Sequence, residues 1–371
     1  MSNFFNSNKI AIIGLGYVGL PLALEFGKYF NTKGFDIDPN RIKNLNKKID
    51  TNSEVDSEIF LKSSKLSLTH DQTDLLDCNV YIITVPTPID EEKQPDFSPL
   101  ISATRTVGSQ LNVGDYVIYE STVFPGATEE ICVPELENSS NLKLNKDFFV
   151  GYSPERINPG DKKRSLIDIK KLTSGSNNES ANFVNKLYST IIKAGTLKVD
   201  SIKIAEASKV VENIQRDVNI ALVNEFYEIF ENMNISTNKV LKAASTKWNF
   251  LNFKPGLVGG HCIGVDPYYL IHKSLSSGYS PKVISSAREL NESMASKVVQ
   301  KFMNELIERK YDIKELTVAI FGFSYKKESS DFRNSKVIDI IKILDNLNIS
   351  YRIFDNLVDK QIVKKETGIK I

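Results

Sequence analysis

A strand that runs into three spaced glycines and then a helix leaves a chain few folds to choose from. Residues 9–14 (KIAIIG) form a short apolar run, followed by Gly14-Leu15-Gly16-Tyr17-Val18-Gly19 and then by LPLALEF, which reads as a helix. An all-apolar run of this length reads as a strand buried on both faces, as in a parallel sheet. Between strand and helix, the first glycine of GxGxxG makes the tight turn and the second admits a pyrophosphate. The third lets helix and strand pack closely. A second strand over 33–37 puts Asp36 22 residues after Gly14. An acid there accepts hydrogen bonds from the adenosine ribose of NAD and repels the 2′-phosphate of NADP. Gly14, Gly16, Gly19 and Asp36 are the expected cofactor contacts.

Strands over 79–85, 116–120 and 148–152 repeat the pattern. Each ends in a polar tip: Pro86-Thr87-Pro88, Ser121-Thr122-Val123-Phe124-Pro125-Gly126, and Ser153-Pro154-Glu155-Arg156-Ile157-Asn158-Pro159-Gly160. Loops at the carboxyl ends of parallel strands are where such sheets bind ligands. Strand, tip and helix alternate to about residue 200, which predicts an α/β domain over 1–200. From 202 to about 233 the period becomes helical without Gly or Pro, predicting one long helix that links domains and offers a dimer surface. Lys209, Asn213 and Arg216 share one face of it; a solvated polar stripe is the plainer reading of the charges alone. Helices over 236–244 and 281–309 complete a central region, 201–310. Residues 317–322 open a second Rossmann-like unit, 311–371, with a helix over 335–347 and a strand over 350–355. It stops after one βαβ and a short helix, fewer strands than an open sheet needs, so an incomplete domain is expected.

Composition narrows the function. Forty-seven basic against 46 acidic side chains give no electrostatic footprint for nucleic acid or an anionic membrane. No apolar run approaches a membrane span, and the N-terminus enters its first strand without a leader, so a soluble cytoplasmic protein is expected. Cys78, Cys132 and Cys262 are odd in number and far apart, forming neither a disulfide framework nor a metal-binding pattern.

Cys262 stands out because PGLVGGHCIGVD (255–266) places it among four glycines, with Asp266 four residues on. Glycines let a backbone pass close to a ligand. If a helix begins at Asp266, the thiol precedes its N-terminus, a position that lowers a thiol's pKa and makes it a nucleophile. The alternative is a small buried hydrophobe. Alone, the stretch suggests covalent catalysis and names no reaction.

Seven segments in this order resemble one family: GLGYVGLP, VPTP, ESTVFPG, YSPERINPG, the Lys209/Asn213 helix, PGLVGGHCIGVDPYYL and GFSYKKESSDFRNS. They resemble the UDP-sugar 6-dehydrogenases. YSPERINPGD and TKWNFLNFKPGLVGGHC are most similar to the branch acting on UDP-N-acetylglucosamine or UDP-N-acetylgalactosamine, which makes uronic acids for bacterial surface polysaccharides. The resemblance implies a four-electron oxidation of the sugar C6 alcohol with two NAD⁺, through an aldehyde trapped on Cys262 and a thioester released by water. It implies oxyanion stabilisation by Lys209 with Asn213, water-holding or proton transfer by Asp266 and Thr122, and Glu155 as base in hydrolysis. On the cofactor it adds Arg41, Thr87, Thr122 and Arg333. On the UDP-sugar it implies Glu155, Lys209, Asn213, Phe253, Lys254, Gly256, Gly259 and Lys327, and it implies a homodimer through the central helix. Two departures stand out. Pro159 replaces a second glutamate of the glucose-type enzymes, which favours an N-acetylhexosamine. The chain also ends several dozen residues early, so a fragment or impaired nucleotide-binding protein stands as the alternative, and UDP-glucose and UDP-N-acetylmannosamine stay open as substrates.

Overall fold

The computed structural model describes residues 2–52, 55–157, 164–327 and 329–371; Pro159 lies outside the described residues. The eight strands of the main sheet are β1 (Lys9–Ile13), β2 (Asn31–Phe35), β3 (Leu66–Thr69), β4 (Val80–Ile83), β5 (Tyr116–Tyr119), β6 (Phe149–Tyr152), β7 (Lys171–Gly175) and β8 (Thr196–Lys198). Their order is β3-β2-β1-β4-β5-β6-β7-β8. Pairing is parallel except between β6 and β7. The chain leaves β1 in one direction for β2 and β3, then returns to β1's other side for β4. That reversal opens a crevice beyond the carboxyl ends of β1 and β4, where Gly14–Gly19 and the VPTP turn lie.

The apolar runs explain the buried strands. Ile10 and Ile12 of β1, Val80 and Ile82 of β4 and Ile118 of β5 are fully buried with Leu20, Leu24 and Phe26 of the Gly19–Phe26 helix. β2 ends two residues earlier than the sequence indicated, because its ladder with β1 closes at Ile13 and Phe35. Asp36 therefore sits just past the ladder. β3 (LSLT), β7 (KLTSG) and β8 (TLK) were not foreseen: each is short and half polar, and is held as a strand by its neighbours.

The chain separates into two units, Met1–Val210 and Val211–Ile371, with the division inside the helix Ile202–Asn232. The second unit contains the helices Thr237–Ala244, Asp266–Ser276 and Lys282–Glu308. It also holds a parallel pair, β9 (Thr317–Phe321) and β10 (Ser350–Phe354), joined by the helix Lys336–Asn346. Phe323, Phe332, Ile341, Ile353, Val358 and Val363 pack a small core of their own there. No helix among the described residues is long and apolar enough to cross a membrane.

Two glycines of the first turn have different jobs. A Cβ on Gly19 would lie 1.8 Å from the Gly14 carbonyl oxygen, whereas one on Gly16 would meet nothing within 4 Å. Gly19→Ala is expected to lower stability by ~2 kcal/mol or more in urea unfolding. Gly16→Ala should stay within ~0.5 kcal/mol of the parent, and lose NAD affinity in a titration.

Candidate active site

In the first unit, the glycine turn is a shaped cradle. Gly14 takes φ +92°, a conformation open to glycine. Asp36 is fixed from both sides: its Oδ2 accepts the Leu15 N–H at 2.8 Å and its Oδ1 the Asp38 N–H at 3.0 Å. The open space at Gly16 and the anchored carboxylate at the strand end fit the pyrophosphate and ribose of NAD. Arg41 is buried rather than presented at the surface. Its Nε and Nη2 donate to Leu15 O at 3.0 and 2.8 Å, and its Nη1 pairs with Asp50 at 2.7 Å. These bonds hold the loop from beneath.

Thr87 and Thr122, at the ends of β4 and β5, meet directly, the Thr87 hydroxyl donating to Thr122 O at 2.6 Å. Behind Thr122, the loop is pinned by Glu206, which sequence reasoning missed. Its carboxylate accepts the N–H groups of Gly126 and Thr128 at 2.5 and 3.0 Å, and burial pushes it up to about 7 against those bonds. Glu155, just past β6, is nearly buried. Its Oε1 accepts the N–H groups of Arg156 and Ile157, and its Oε2 lies 3.2 Å from Lys171 Nζ. Lys209 is buried on the long helix.

In the second unit, the helix begins at Asp266, as the sequence indicated, and Cys262 lies half-buried in the turn before it. The N–H groups of Val265 and Asp266 close that turn on Cys262 O at 3.1 and 2.8 Å. Asp266 is buried and accepts from Asn213 Nδ2 at 2.5 Å. Lys209 and Asn213, one helical turn apart, are both buried while Arg216 is exposed, so the solvated-stripe reading holds for Arg216 alone. Gly256 is gripped at both ends by Asn224, N–H to Oδ1 at 2.8 Å and O to Nδ2 at 3.0 Å. Phe253 is half-buried, and Lys254 and Lys327 are exposed.

Two neighbours of the thiol loop carry charge that the sequence reading overlooked. Arg288, fully buried, reaches Ile263 O at 3.3 Å and Asp217 at 3.2 Å. His261 stands 3.3 Å from Asp331, with Arg333 bound to the same carboxylate at 2.7 Å. Burial opposes a charge on His261, but hydrogen bonds to Asp331 and Cys262 lift it to about 9, so the imidazole is protonated at neutral pH. Arg333, expected at the cofactor, is committed at least in part to Asp331. No motif spacing links 261 to 331; an HC pair ahead of DFR was the only available hint.

The other thiols differ sharply. Cys78 and Cys132 are buried, and burial pushes each up to about 12.

The first unit holds a cradle that fits NAD and the second a half-buried thiol just before a helix start, the parts of an NAD-dependent dehydrogenase. The chain belongs to the UDP-glucose/GDP-mannose dehydrogenase family: residues 8–192 match its NAD binding domain, 203–293 its central domain and 319–371 its UDP binding domain. Its cofactor is NAD. It is 54% identical over 361 residues to a UDP-N-acetyl-D-glucosamine 6-dehydrogenase of Pseudomonas aeruginosa, covering 97% of this chain and 86% of that protein. It is 49% identical to the protein CapL of Staphylococcus aureus, covering 98% and 86%. Among solved structures, a UDP-D-ManNAc dehydrogenase of Pyrococcus horikoshii superposes with a TM-score of 0.88 at 33% identity, covering 95% of this chain and 84% of that one.

The thiols should separate in a simple experiment. Under native conditions near pH 7.5, iodoacetamide is expected to label Cys262 and to leave Cys78 and Cys132 unmodified, as read by peptide mass. Cys262→Ser should abolish acid formation and keep NAD binding, and serine at 78 or 132 should leave turnover within about threefold.

Proposed function

We propose that this chain oxidises the C6 hydroxymethyl of a UDP-N-acetylhexosamine to the carboxylate, supplying a uronic acid for bacterial surface polysaccharide. The observation that carries the chemistry is Cys262 in the turn that starts the Asp266 helix, with Asp266 buried against Asn213. The sugar class is supported by identity: relatives named for UDP-N-acetyl-D-glucosamine reach 54%, whereas those named for UDP-N-acetyl-D-mannosamine reach 34%.

Bound NAD⁺ supplies the hydride acceptor. The protein's part is to hold the carbon and its charges. Cys262 Sγ adds to the C6 aldehyde, and the resulting hemithioacetal keeps the intermediate attached for a second oxidation. Lys209 and Asn213 stabilise the oxyanion that forms with each addition. Asp266 orients the Asn213 amide and, with Thr122, holds water or moves a proton. Glu155 accepts the proton of the water that releases the thioester: three donors reach its carboxylate, which offers about four lone-pair sites, and one remains for that water. Gly14, Gly16, Gly19, Asp36, Thr87 and Arg333 serve the cofactor, with Arg41 acting through Leu15. Phe253, Lys254, Gly256, Gly259 and Lys327 serve the UDP-sugar. Residues 1–200, 201–310 and 311–371 divide these tasks as NAD, catalytic and UDP-sugar regions.

The chain works as a homodimer. Ile204, Val211, Leu222 and Ile229 of the long helix are exposed, with half-buried Val218, Phe226 and Phe230 alongside. Their spacings of seven and four give an apolar stripe at helical period, which fits the same stripe of a second copy. Sedimentation at micromolar concentration should give a dimer, and Leu222→Asp with Ile229→Asp a monomer; a monomeric parent chain would refute the interface.

Assays with UDP-N-acetylglucosamine should yield two NADH per uronate, with NADP⁺ at least ~10-fold poorer because Asp36 repels its 2′-phosphate. Faster turnover of UDP-glucose or UDP-N-acetylmannosamine would overturn the sugar assignment.

A further inference from the structure

Four ionisable side chains of the first unit meet away from solvent. Glu120 follows β5, Glu155 follows β6, Lys171 opens β7 and Tyr188 comes from the helix Asn178–Ser189. The Lys171 ammonium lies 2.6 Å from Glu120 Oε2 and 3.2 Å from Glu155 Oε2. The Tyr188 hydroxyl donates to Glu120 Oε1, and the ammonium sits 5.4 Å from the centre of the Tyr188 ring. Glu120, Lys171 and Tyr188 are at most 2% exposed, and Glu155 is 7% exposed. Among the described residues, the charged and titratable groups facing Glu120 are Lys171, Glu155 and Tyr188.

One ammonium cannot neutralise two carboxylates, and a surplus buried charge is costly. The cluster therefore holds an extra proton until the pH is high enough to remove it. Burial pushes Glu120 up to about 7, with the negative charge of Glu155 adding to the push and Lys171 and Tyr188 opposing it. Burial also works against the charge of Lys171, but the two carboxylates outweigh it and keep the amine protonated.

We propose that Glu120 is a positioning residue for Glu155: by sharing the Lys171 ammonium, it sets how firmly that ammonium holds Glu155 Oε2, and so how free that oxygen is to take a proton from water. This rests on Glu155 being the base that releases the thioester. At acidic pH Glu120 is neutral and Lys171 belongs wholly to Glu155, occupying its Oε2. As the pH rises through about 7 Glu120 ionises and takes a share of the ammonium, which loosens the hold of Lys171 on Glu155 and frees its Oε2 for water. Release of the acid should therefore quicken across neutral pH, through a group that touches neither substrate nor cofactor.

The test is single-turnover release of uronate from the enzyme with NAD⁺ and UDP-N-acetylglucosamine, followed by quench between pH 6 and 8.5. The parent chain should show a rate rising ~5-fold through neutral pH. Glu120→Gln, neutral at every pH, should keep NAD binding and release acid at the slow acidic-side rate throughout. Tyr188→Phe removes a donor to the ionised form of Glu120 and should move the rise up by ~0.5 to 1 pH unit with the same plateau. A rise unchanged in both variants overturns the proposal. If Glu120→Gln loses NAD binding and so is misfolded, the Tyr188→Phe shift decides alone. Glu155→Gln separates the two claims. It should stall with the acyl group on Cys262, seen as added mass on the intact chain. Normal release from Glu155→Gln removes the base assignment and this inference with it, whereas a stall combined with unshifted profiles removes only the coupling through Glu120.

Discussion

A loop that carries reactive groups lacks the hydrogen-bond ladder that fixes a strand or helix, so something else must hold it. In this protein, buried polar side chains, several of them charged, do so. Arg41 clamps Leu15 in the glycine turn, Glu206 takes two N–H groups of the turn after β5, and Lys171 grips Glu155 after β6. In the second unit, Asn224 holds Gly256 and Arg288 holds Ile263. Each anchor is desolvated, so losing its partner would leave a bare buried polar group, at a cost of roughly 3–5 kcal/mol for an ion pair. The loops are held in place because the alternatives are expensive.

The same anchors shape the electrostatics of the chemistry. A carboxylate buried against backbone N–H groups, such as Glu206, stays near the neutral range because burial and hydrogen bonding oppose one another. His261 shows the opposite balance, its partners outweighing burial, so a positive charge stands one residue from Cys262. At Cys78 and Cys132 burial outweighs every neighbour, the hydrogen bonds of Cys132 to Thr104 and Tyr119 included, and each thiol is pushed up to about 12. Three cysteines in one chain thus differ in exposure through their surroundings: two are buried and Cys262 is half-buried.

The sequence revealed those elements whose signal is local. The strand–glycine–helix start, the 31-residue helix and the helix at Asp266 announce themselves through period and punctuation. β3, β7 and β8 were invisible because they are three to five residues long, with strand character imposed by neighbours. The site divided in the same way. Cys262, Glu155, Lys209, Asn213 and Asp266 are legible because they sit in dense motifs. The buried groups around their loops, Lys171, Glu206, Arg288 and His261 with Asp331, are not, since each pairing joins residues 16 to 80 positions apart or joins groups with no motif of their own. Arg41 was legible as a residue, but nothing local shows that its guanidinium turns inward to Leu15.

The glycine-dense thiol loop shows how a local signal can be read correctly and explained incompletely. Glycines there suggested close passage of a ligand. At Gly259 and Gly260 the close neighbour is the chain itself: added Cβ atoms would lie 2.7 Å from Asn334 O and 2.6 Å from the Tyr325 ring. Asn334 also donates to Gly260 O at 3.2 Å, and His261 joins the same segment through Asp331. These contacts tie the Cys262 loop to Tyr325, Asp331 and Asn334, within the 319–371 segment that matches the UDP binding domain. A nucleophile must be held within a fraction of an ångström of its target to profit from proximity. The part of the chain matching a UDP binding domain therefore also steadies the loop that carries Cys262, which makes a side chain at 325, 331 or 334 as consequential for the placement of that thiol as one beside it.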